Sequence, residues 1–142
     1  MIGIDTNLLV YGHRAGTPEH RAAVRALETA SRDPRGWGVA LPSIAEFWSI
    51  VTHPACAGGP SAAKDAHGFL AGMVEGGAII WTPGEDFWRR LTRLAAELGT
   101  HGARIFDLQI ALAARDNGAT EIWTHDAGFV SIQGLRIEDP LK

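Results

Sequence analysis

The sequence predicts an α/β fold of three layers, in which a mostly parallel, twisted sheet of four to five strands carries helices on both faces. Short apolar runs alternate along the chain with stretches in which apolar residues recur at helical spacing. Continuous apolar runs are typical of strands that are covered on both faces, which favours a parallel sheet. The length of 142 residues suits one core, so residues 1–142 are predicted to form a single domain.

Five short apolar runs predict the strands. They lie at residues 2–4, 37–41, 78–81, 122–124 and 135–138. The first run is β-branched and ends at Asp5, and the run at 78–81 is apolar throughout, which predicts a buried third strand.

Six stretches between these runs predict helices, and most carry a start or a stop signal. The first is a short helix that reaches Tyr11; the others run from Thr17-Pro18 to about 33, from Pro42-Ser43 to about 52, from Ser61 onward, over 85–98 and over about 105–117. Thr17 and Ser61 are predicted N-caps, and a proline suits the first position of a helix. Gly118 is predicted to end the last helix.

The amino-acid composition excludes several classes of function. Sixteen acidic residues against thirteen basic ones give a net charge of −3, so no overall positive field attracts nucleic acid and a phosphate must be met locally. The single cysteine, Cys56, excludes an intramolecular disulfide and a cysteine-rich zinc site. With no basic leader and no apolar stretch near the ~20 residues of a membrane span, we expect a cytoplasmic protein.

Four carboxylates are predicted to meet at one edge of the sheet. Asp5 ends the first strand and Asp126 follows the fourth, while Glu46 and Asp107 lie near the starts of two helices that face the same edge. Ligands of open α/β sheets bind at this edge. Because like charges this close need a compensating cation, the set predicts a magnesium or manganese site.

Each acid also has a purely structural interpretation. Asp5 is suited to cap a short helix, Ser43 and Glu46 have the spacing of a capping box, Asp107 is favoured by the helix dipole, and Asp126 fits a turn. A capping role and a metal role do not exclude each other. The set of four favours a common site over four separate coincidences.

The order and spacing of these motifs resemble those of PIN-domain nucleases, and among them the VapC-type toxins of bacterial toxin–antitoxin pairs. The resemblance covers nearly the whole chain. It rests on Ile2-Gly3-Ile4-Asp5-Thr6-Asn7-Leu8-Leu9-Val10-Tyr11, Ser43-Ile44-Ala45-Glu46-Phe47, Ile50-Val51-Thr52-His53-Pro54, Asp107-Leu108-Gln109-Ile110-Ala111-Leu112-Ala113, Gly118-Ala119, Thr124-His125-Asp126-Ala127-Gly128-Phe129 and Leu135-Arg136-Ile137-Glu138-Asp139-Pro140-Leu141.

The resemblance implies the roles of seven residues. The catalytic, metal-binding quartet is Asp5, Glu46, Asp107 and Asp126, and the polar residues that orient it are Thr6, Asn7 and Thr124. The sequence departs from the common pattern at Gly128, where a further acid often precedes the phenylalanine. This departure argues against a fully occupied second metal site.

The implied activity is that of a Mg²⁺- or Mn²⁺-dependent endoribonuclease that inhibits translation. In such an activity the cation acidifies a water and neutralises charge on the phosphate. The expected products carry a 3′-hydroxyl and a 5′-phosphate. The implied partners are a structured transfer or ribosomal RNA and a VapB-type antitoxin. We also expect a homodimer, and the five tryptophans are interpreted as core or subunit-interface residues.

The basic residues and the histidines are weaker candidates for a functional role. Arg14 and Arg104 are the basic residues nearest the predicted edge and are candidates to hold a phosphate. His125 is interpreted as facing solvent, and the other histidines lack the spacing of zinc ligands.

Two competing functions use the same edge of a sheet. A phosphoryl-accepting receiver needs paired acids after the first strand and a late lysine, but the chain offers Asp5 alone and no lysine between Lys64 and Lys142. A haloacid-type phosphatase needs an Asp-x-Asp pair, and Asn7 occupies the second place. A non-catalytic binding module with an acidic metal site is the other alternative. Cleavage of RNA with manganese, tested with and without a chelator, discriminates among these classes.

Overall fold

The computed structural model describes residues 1–142 and contains five strands and six helices. In chain order they are β1 (Ile2–Ile4), α1 (Thr6–His13), α2 (His20–Ser31), β2 (Trp37–Ala40), α3 (Leu41–Val51), α4 (Ala63–Glu75), β3 (Ile79–Trp81), α5 (Phe87–Leu98), α6 (Arg104–Asp116), β4 (Glu121–Trp123) and β5 (Arg136–Glu138). None of the six helices is long and apolar enough to span a membrane.

The sheet is parallel throughout, and its strand order is β3-β2-β1-β4-β5. β1 is central: Ile2 lies opposite Trp37 of β2 and Glu121 of β4. The predicted α/β class and the number of strands are therefore confirmed. Because all strands run in one direction, the residues that follow β1 and β4 emerge side by side at one edge, which places Asp5 beside the Thr124 segment.

Helices cover both faces of the sheet, as the apolar runs predicted. One core cluster contains Ile2 and Ile4 with residues of α1 to α4, and the other contains Ile122 with residues of α5 and α6. Gly3 lies between these two isoleucines in β1 and faces α6. A Cβ added to Gly3 would lie 3.3 Å from the Cβ of Ala114. Alternation along β1 therefore lets α6 pack closely against the central strand at Gly3.

Two predicted N-caps are wrong because their hydroxyl groups bond elsewhere. α2 begins at His20, since Thr17 donates to the Arg14 carbonyl at 2.9 Å and lies in a turn before the helix. α4 begins at Ala63, because the Ser61 hydroxyl lies 2.9 Å from His13 Nε2 and accepts from Arg14.

The capping box predicted for Ser43 and Glu46 is also wrong. α3 begins at Leu41, directly after β2, and Pro42 occupies its first turn. Ser43 is therefore the third helical residue; it is fully buried, and its hydroxyl has no hydrogen-bond partner. Glu46 lies in the second turn with an exposed side chain, which leaves its carboxylate free of any capping role.

The third strand is less buried than its composition predicted. β3 lies at the edge of the sheet, and Ile79 is 46% exposed, while Trp81 is buried. Trp37 is also a core residue, whereas Trp48 and Trp88 are 37% and 60% exposed, so the tryptophans divide between core and surface. The predicted homodimer stays a prediction.

Candidate functional site

Asp5 lies at the centre of the edge formed by β1 and β4. It is 5% exposed and caps α1 by accepting a hydrogen bond from the Thr6 amide at 2.7 Å, so the capping interpretation is correct. Its other carboxylate oxygen accepts from the Thr124 hydroxyl at 2.7 Å and from the Asn7 side-chain amide at 3.3 Å. Three donors from two strand ends therefore fix this carboxylate.

Asn7 and Thr124 join the ends of β1 and β4. The Asn7 amide nitrogen donates to the Thr124 hydroxyl at 3.0 Å, and its carbonyl oxygen accepts from the His125 backbone at 3.1 Å. The Thr124 hydroxyl also accepts from the Asp126 amide at 3.1 Å. The side chains expected to orient the acids thus contact Asp5 directly, while the Thr6 hydroxyl is buried and has no partner.

The surroundings of Asp5 disfavour its charged form. Burial, the largest cause, together with the neighbouring carboxylates of Asp107 and Glu46, raises its pKa from 3.8 to about 6, although the hydrogen bonds from Thr124 and Thr6 act in the opposite direction. None of these influences comes from a positively charged group. Asp5 is therefore a buried acid with two acidic neighbours and no compensating cation from the chain.

The outer acids, Asp107 and Asp126, are joined by an arginine. One guanidinium nitrogen of Arg104 donates to Asp107 at 2.6 Å and to Asp126 at 3.0 Å. These hydrogen bonds raise the pKa of Arg104, and the pKa of Asp126 is lowered, first by a hydrogen bond from the Gly128 amide and then by Arg104. Asp107 lies in the first turn of α6, as predicted.

The four predicted acids therefore occupy the same edge but are not gathered around one point. Asp107 and Glu46 are close enough to Asp5 to raise its pKa, whereas Asp126 contacts Arg104 and the backbone of its own turn. No three acidic, histidine or cysteine side chains have the arrangement of a metal site in this structure.

The donor chemistry nevertheless fits a hard divalent cation. Carboxylate oxygens are the preferred protein ligands of magnesium and manganese. The buried Asp5, whose charged form lacks a compensating cation, supplies the observation that favours such an ion. Of the acids, Asp5 has no basic partner, whereas Asp107 and Asp126 share the guanidinium of Arg104.

The two candidate phosphate-binding arginines differ in position. Arg14 lies at the end of α1, and its guanidinium is used within the chain: it donates to the Ser61 hydroxyl and to the carbonyls of Ala57 and Gly59. Arg104 contacts the acids themselves and keeps about half of its side chain exposed. Of the two, Arg104 is therefore placed to meet a substrate at the acidic edge.

The sequence suggested that His125 faces solvent, but its ring contacts two other residues. Its Nδ1 lies 2.9 Å from the carboxylate of Asp139, and its ring packs edge-on against Tyr11 at 6.1 Å. Asp139 directly follows β5, which neighbours β4. The strand-end rule that identified Asp5 and Asp126 would have identified Asp139 too, because the fifth strand ends at the same edge.

The architecture matches solved structures of toxins with a PIN domain. The VapC20 toxin of Mycobacterium tuberculosis, described as cleaving the sarcin-ricin loop, superimposes with a TM-score of 0.70 at 15% identity, covering 93% of this chain and 98% of that one. VapBC2 from Rickettsia felis, solved with a DNA fragment from its promoter, gives 0.64 at 18% identity and 98% coverage of both chains. The sheet, helices and acidic edge thus define a PIN-like α/β protein.

Sequence comparison identifies the family. Ribonuclease VapC43 of Mycobacterium tuberculosis is 31% identical to this chain over 142 residues, which span 99% of this chain and 96% of that protein. No family model matches the sequence. With this identity over nearly the full length of both proteins, the chain belongs to the VapC ribonuclease family.

Proposed function

We propose that this protein is the ribonuclease toxin of a VapBC-type toxin–antitoxin pair and cleaves RNA as a Mg²⁺- or Mn²⁺-dependent endoribonuclease. Asp5, Glu46, Asp107 and Asp126 are the proposed catalytic and metal-binding acids. The observation that carries the metal role is the buried Asp5 carboxylate, which has two acidic neighbours and no positively charged partner. Family membership supports the nuclease over the phosphoryl-accepting and non-catalytic alternatives.

Different residues of the chain have different proposed roles at the site. Thr6, Asn7 and Thr124 hold the Asp5 carboxylate in one orientation, so that a ligand meets a preformed oxygen and not a mobile side chain. Glu46 and Asp107 add negative charge from two other elements. A divalent cation bound there would acidify a water and offset the charge that builds on the phosphate during hydrolysis.

The substrate and the partner follow from the same proposal. The chain carries a net charge of −3, so RNA must be held by local contacts, and Arg104 is the basic side chain at the acidic edge. We propose a structured transfer or ribosomal RNA as substrate and a VapB-type antitoxin as partner. The description of VapC20 as a toxin that cleaves the sarcin-ricin loop supports a structured RNA target.

The test is cleavage of an end-labelled structured RNA by metal-stripped protein after addition of manganese, magnesium or a chelator. We expect cleavage with either metal and none with the chelator, and products with a 3′-hydroxyl and a 5′-phosphate. Asp5→Asn should be inactive, while Glu97→Gln, which alters an exposed acid of α5, should cleave like the wild type. Equal cleavage by Asp5→Asn would point to a contaminating nuclease or to a different active site.

A second measurement is independent of RNA. A metal that binds the folded acids and not the unfolded chain stabilises the protein by about 2.7 kcal/mol at one hundred times its dissociation constant. Saturating manganese should therefore raise the melting temperature of the wild type and raise that of Asp5→Asn less. Equal melting temperatures of the wild type in manganese and in chelator would contradict a metal site at these acids.

A further inference from the structure

Arg104 pairs with Asp107 and Asp126, the outer half of the acidic edge. A metal site alone does not require an arginine between these acids. Arg104 begins α6, three residues before Asp107, and it also reaches Asp126, which belongs to the segment after β4. An exposed ion pair within one helix contributes little to stability. A guanidinium that bridges acids from two segments instead supplies a fixed positive charge between them, since arginine stays protonated at any physiological pH.

The chain leaves space for this arginine at Gly128. A Cβ at this position would lie 3.2 Å from the Cζ of Arg104 and even closer to one of its terminal nitrogens. Gly128 is not among the glycines with positive φ, so its backbone does not require a glycine. A glycine at position 128 therefore leaves the space in which the Arg104 guanidinium contacts Asp126.

The charges at the edge are consequently distributed unevenly. Asp107 and Asp126 share the positive charge of Arg104, whereas Asp5 has no cationic partner. Enzymes that use two metal ions place positive charge on both the attacking and the leaving oxygen of a phosphodiester. Arginine can supply one of these charges, because its planar guanidinium binds phosphate oxygens directly and stabilises transferring phosphoryl groups.

We propose that Arg104 is a built-in cation that takes the place of a second metal ion, so that the chain binds one divalent ion at the Asp5 end and uses Arg104 at the Asp126 end. This inference rests on the proposed metal-dependent cleavage. The exposed part of the guanidinium donates to a phosphate oxygen of the RNA, while Asp107 and Asp126 hold it in place.

The first test counts metal ions without RNA. Manganese is titrated calorimetrically into the metal-stripped wild type, Arg104→Gln and Gly128→Ala. The wild type should bind one ion per chain. Arg104→Gln should bind a second ion or bind manganese about tenfold more tightly, the order expected when one neighbouring positive charge is removed. Gly128→Ala should change binding in the same direction, because the added Cβ displaces the guanidinium while leaving its charge in the protein.

Two matched controls separate this effect from general damage. Arg90→Gln removes another exposed arginine that pairs with an aspartate, Asp116, away from the acidic edge. Gly16→Ala adds a Cβ where no atom lies within 4 Å. Both controls should bind manganese like the wild type, and circular dichroism should show a native fold for every variant that is titrated.

The second test separates a substrate role from a merely inhibitory one. At saturating manganese, Arg104→Gln should cleave RNA roughly a hundredfold more slowly than the wild type although it binds the metal more tightly, a loss within the range seen when one transition-state donor is removed. Arg104→Lys, which keeps the charge but loses the planar fork, should be intermediate.

Three results would overturn the inference: two manganese ions per wild-type chain, identical manganese binding by the wild type and Arg104→Gln, or undiminished cleavage by Arg104→Gln. Failure of the proposed function looks different. In that case the wild type binds no manganese or cleaves equally well in chelator, whatever residue is present at position 104.

Discussion

The two halves of the acidic edge handle negative charge in opposite ways. At the inner half, Asp5 is buried, receives three hydrogen bonds and has no cationic partner, so its pKa rises to about 6, mainly because of burial. At the outer half, Asp107 and Asp126 are more exposed and share Arg104. A preformed carboxylate without a counter-charge favours an external cation, whereas a compensated pair already has one.

This difference gives each half a distinct sensitivity to mutation. Removing the charge of Asp5 takes away the group that most favours an external cation, and it relieves an electrostatic penalty in the metal-free protein. Removing the charge of Asp126 loosens Arg104 and leaves the hydrogen bonds around Asp5 in place. We therefore expect a steep loss of activity when the inner half is mutated and a smaller loss when the outer half is mutated.

The largest expected effect is that of Asp5→Asn on cleavage. We expect a loss of at least about a thousandfold, since the variant removes the charge of the central acid of the proposed metal site, with no loss of stability in chelator. Asp126→Asn should lose less, roughly tenfold to a hundredfold. Initial rates of RNA cleavage at saturating manganese and melting curves in chelator measure both. Equal losses in the two variants would contradict the proposed difference between Asp5 and Asp126.

Glu46 provides the next test, because its carboxylate influences Asp5 but has no role in capping α3. Glu46→Gln should reduce cleavage by about a hundredfold, as expected for loss of a charged metal ligand, and leave the metal-free melting temperature within a few degrees. The side chain is exposed, so the fold does not depend on it. Wild-type rates and unchanged manganese dependence in Glu46→Gln would remove this residue from the site.

The inner half should also show a distinctive dependence on pH. Asp5 binds its proton more tightly in the folded protein, where its pKa is about 6, than in the unfolded chain, where it is near 3.8. Its contribution to stability is therefore full below pH 3.8 and is lost as the pH rises through 6. A shift of this size amounts to about 3 kcal/mol.

Because other groups titrate as well, the measurement compares two proteins. Urea unfolding of the wild type and of Asp5→Asn in chelator, at pH 4.5 and pH 7.5, isolates the contribution of Asp5. The stability of Asp5→Asn relative to the wild type should increase at the higher pH. If the difference in unfolding free energy between the two proteins is the same at both pH values, the pKa of Asp5 is not raised in the way that its burial implies.

The sequence predicted the class of fold from periodicity, and it predicted the edge that carries the acids from their positions at strand ends and helix starts. Apolar runs located the five strands within about a residue or two, and the pairing of β1 with β4 places the segments that carry Asp5 and Asp126 side by side. These features depend on patterns that extend over many residues, so a local error does not change them.

The rest depends on single side chains whose partners lie far away in the sequence. Arg104 was a general phosphate candidate, but its bridge to Asp126 requires the packing of α6 beside β4 and the absence of a side chain at Gly128. The hydroxyl of Ser61 fits an N-cap by spacing, yet it pairs with His13 from another helix. Local spacing gives no information on such competition between partners.

The smallest expected effect concerns Ser43 and compares two buried hydroxyl groups. The Ser43 hydroxyl has no partner, whereas that of Thr124 donates to Asp5 and accepts from Asn7 and Asp126. Removing an unpartnered buried hydroxyl costs little, so Ser43→Ala should leave the free energy of unfolding unchanged or raise it by up to about 1 kcal/mol. Thr124→Val should lower it by roughly 1–3 kcal/mol, since polar groups lose their partner. Urea unfolding in chelator measures both, and a loss near 1 kcal/mol in Ser43→Ala would instead support the helix cap that its spacing first suggested.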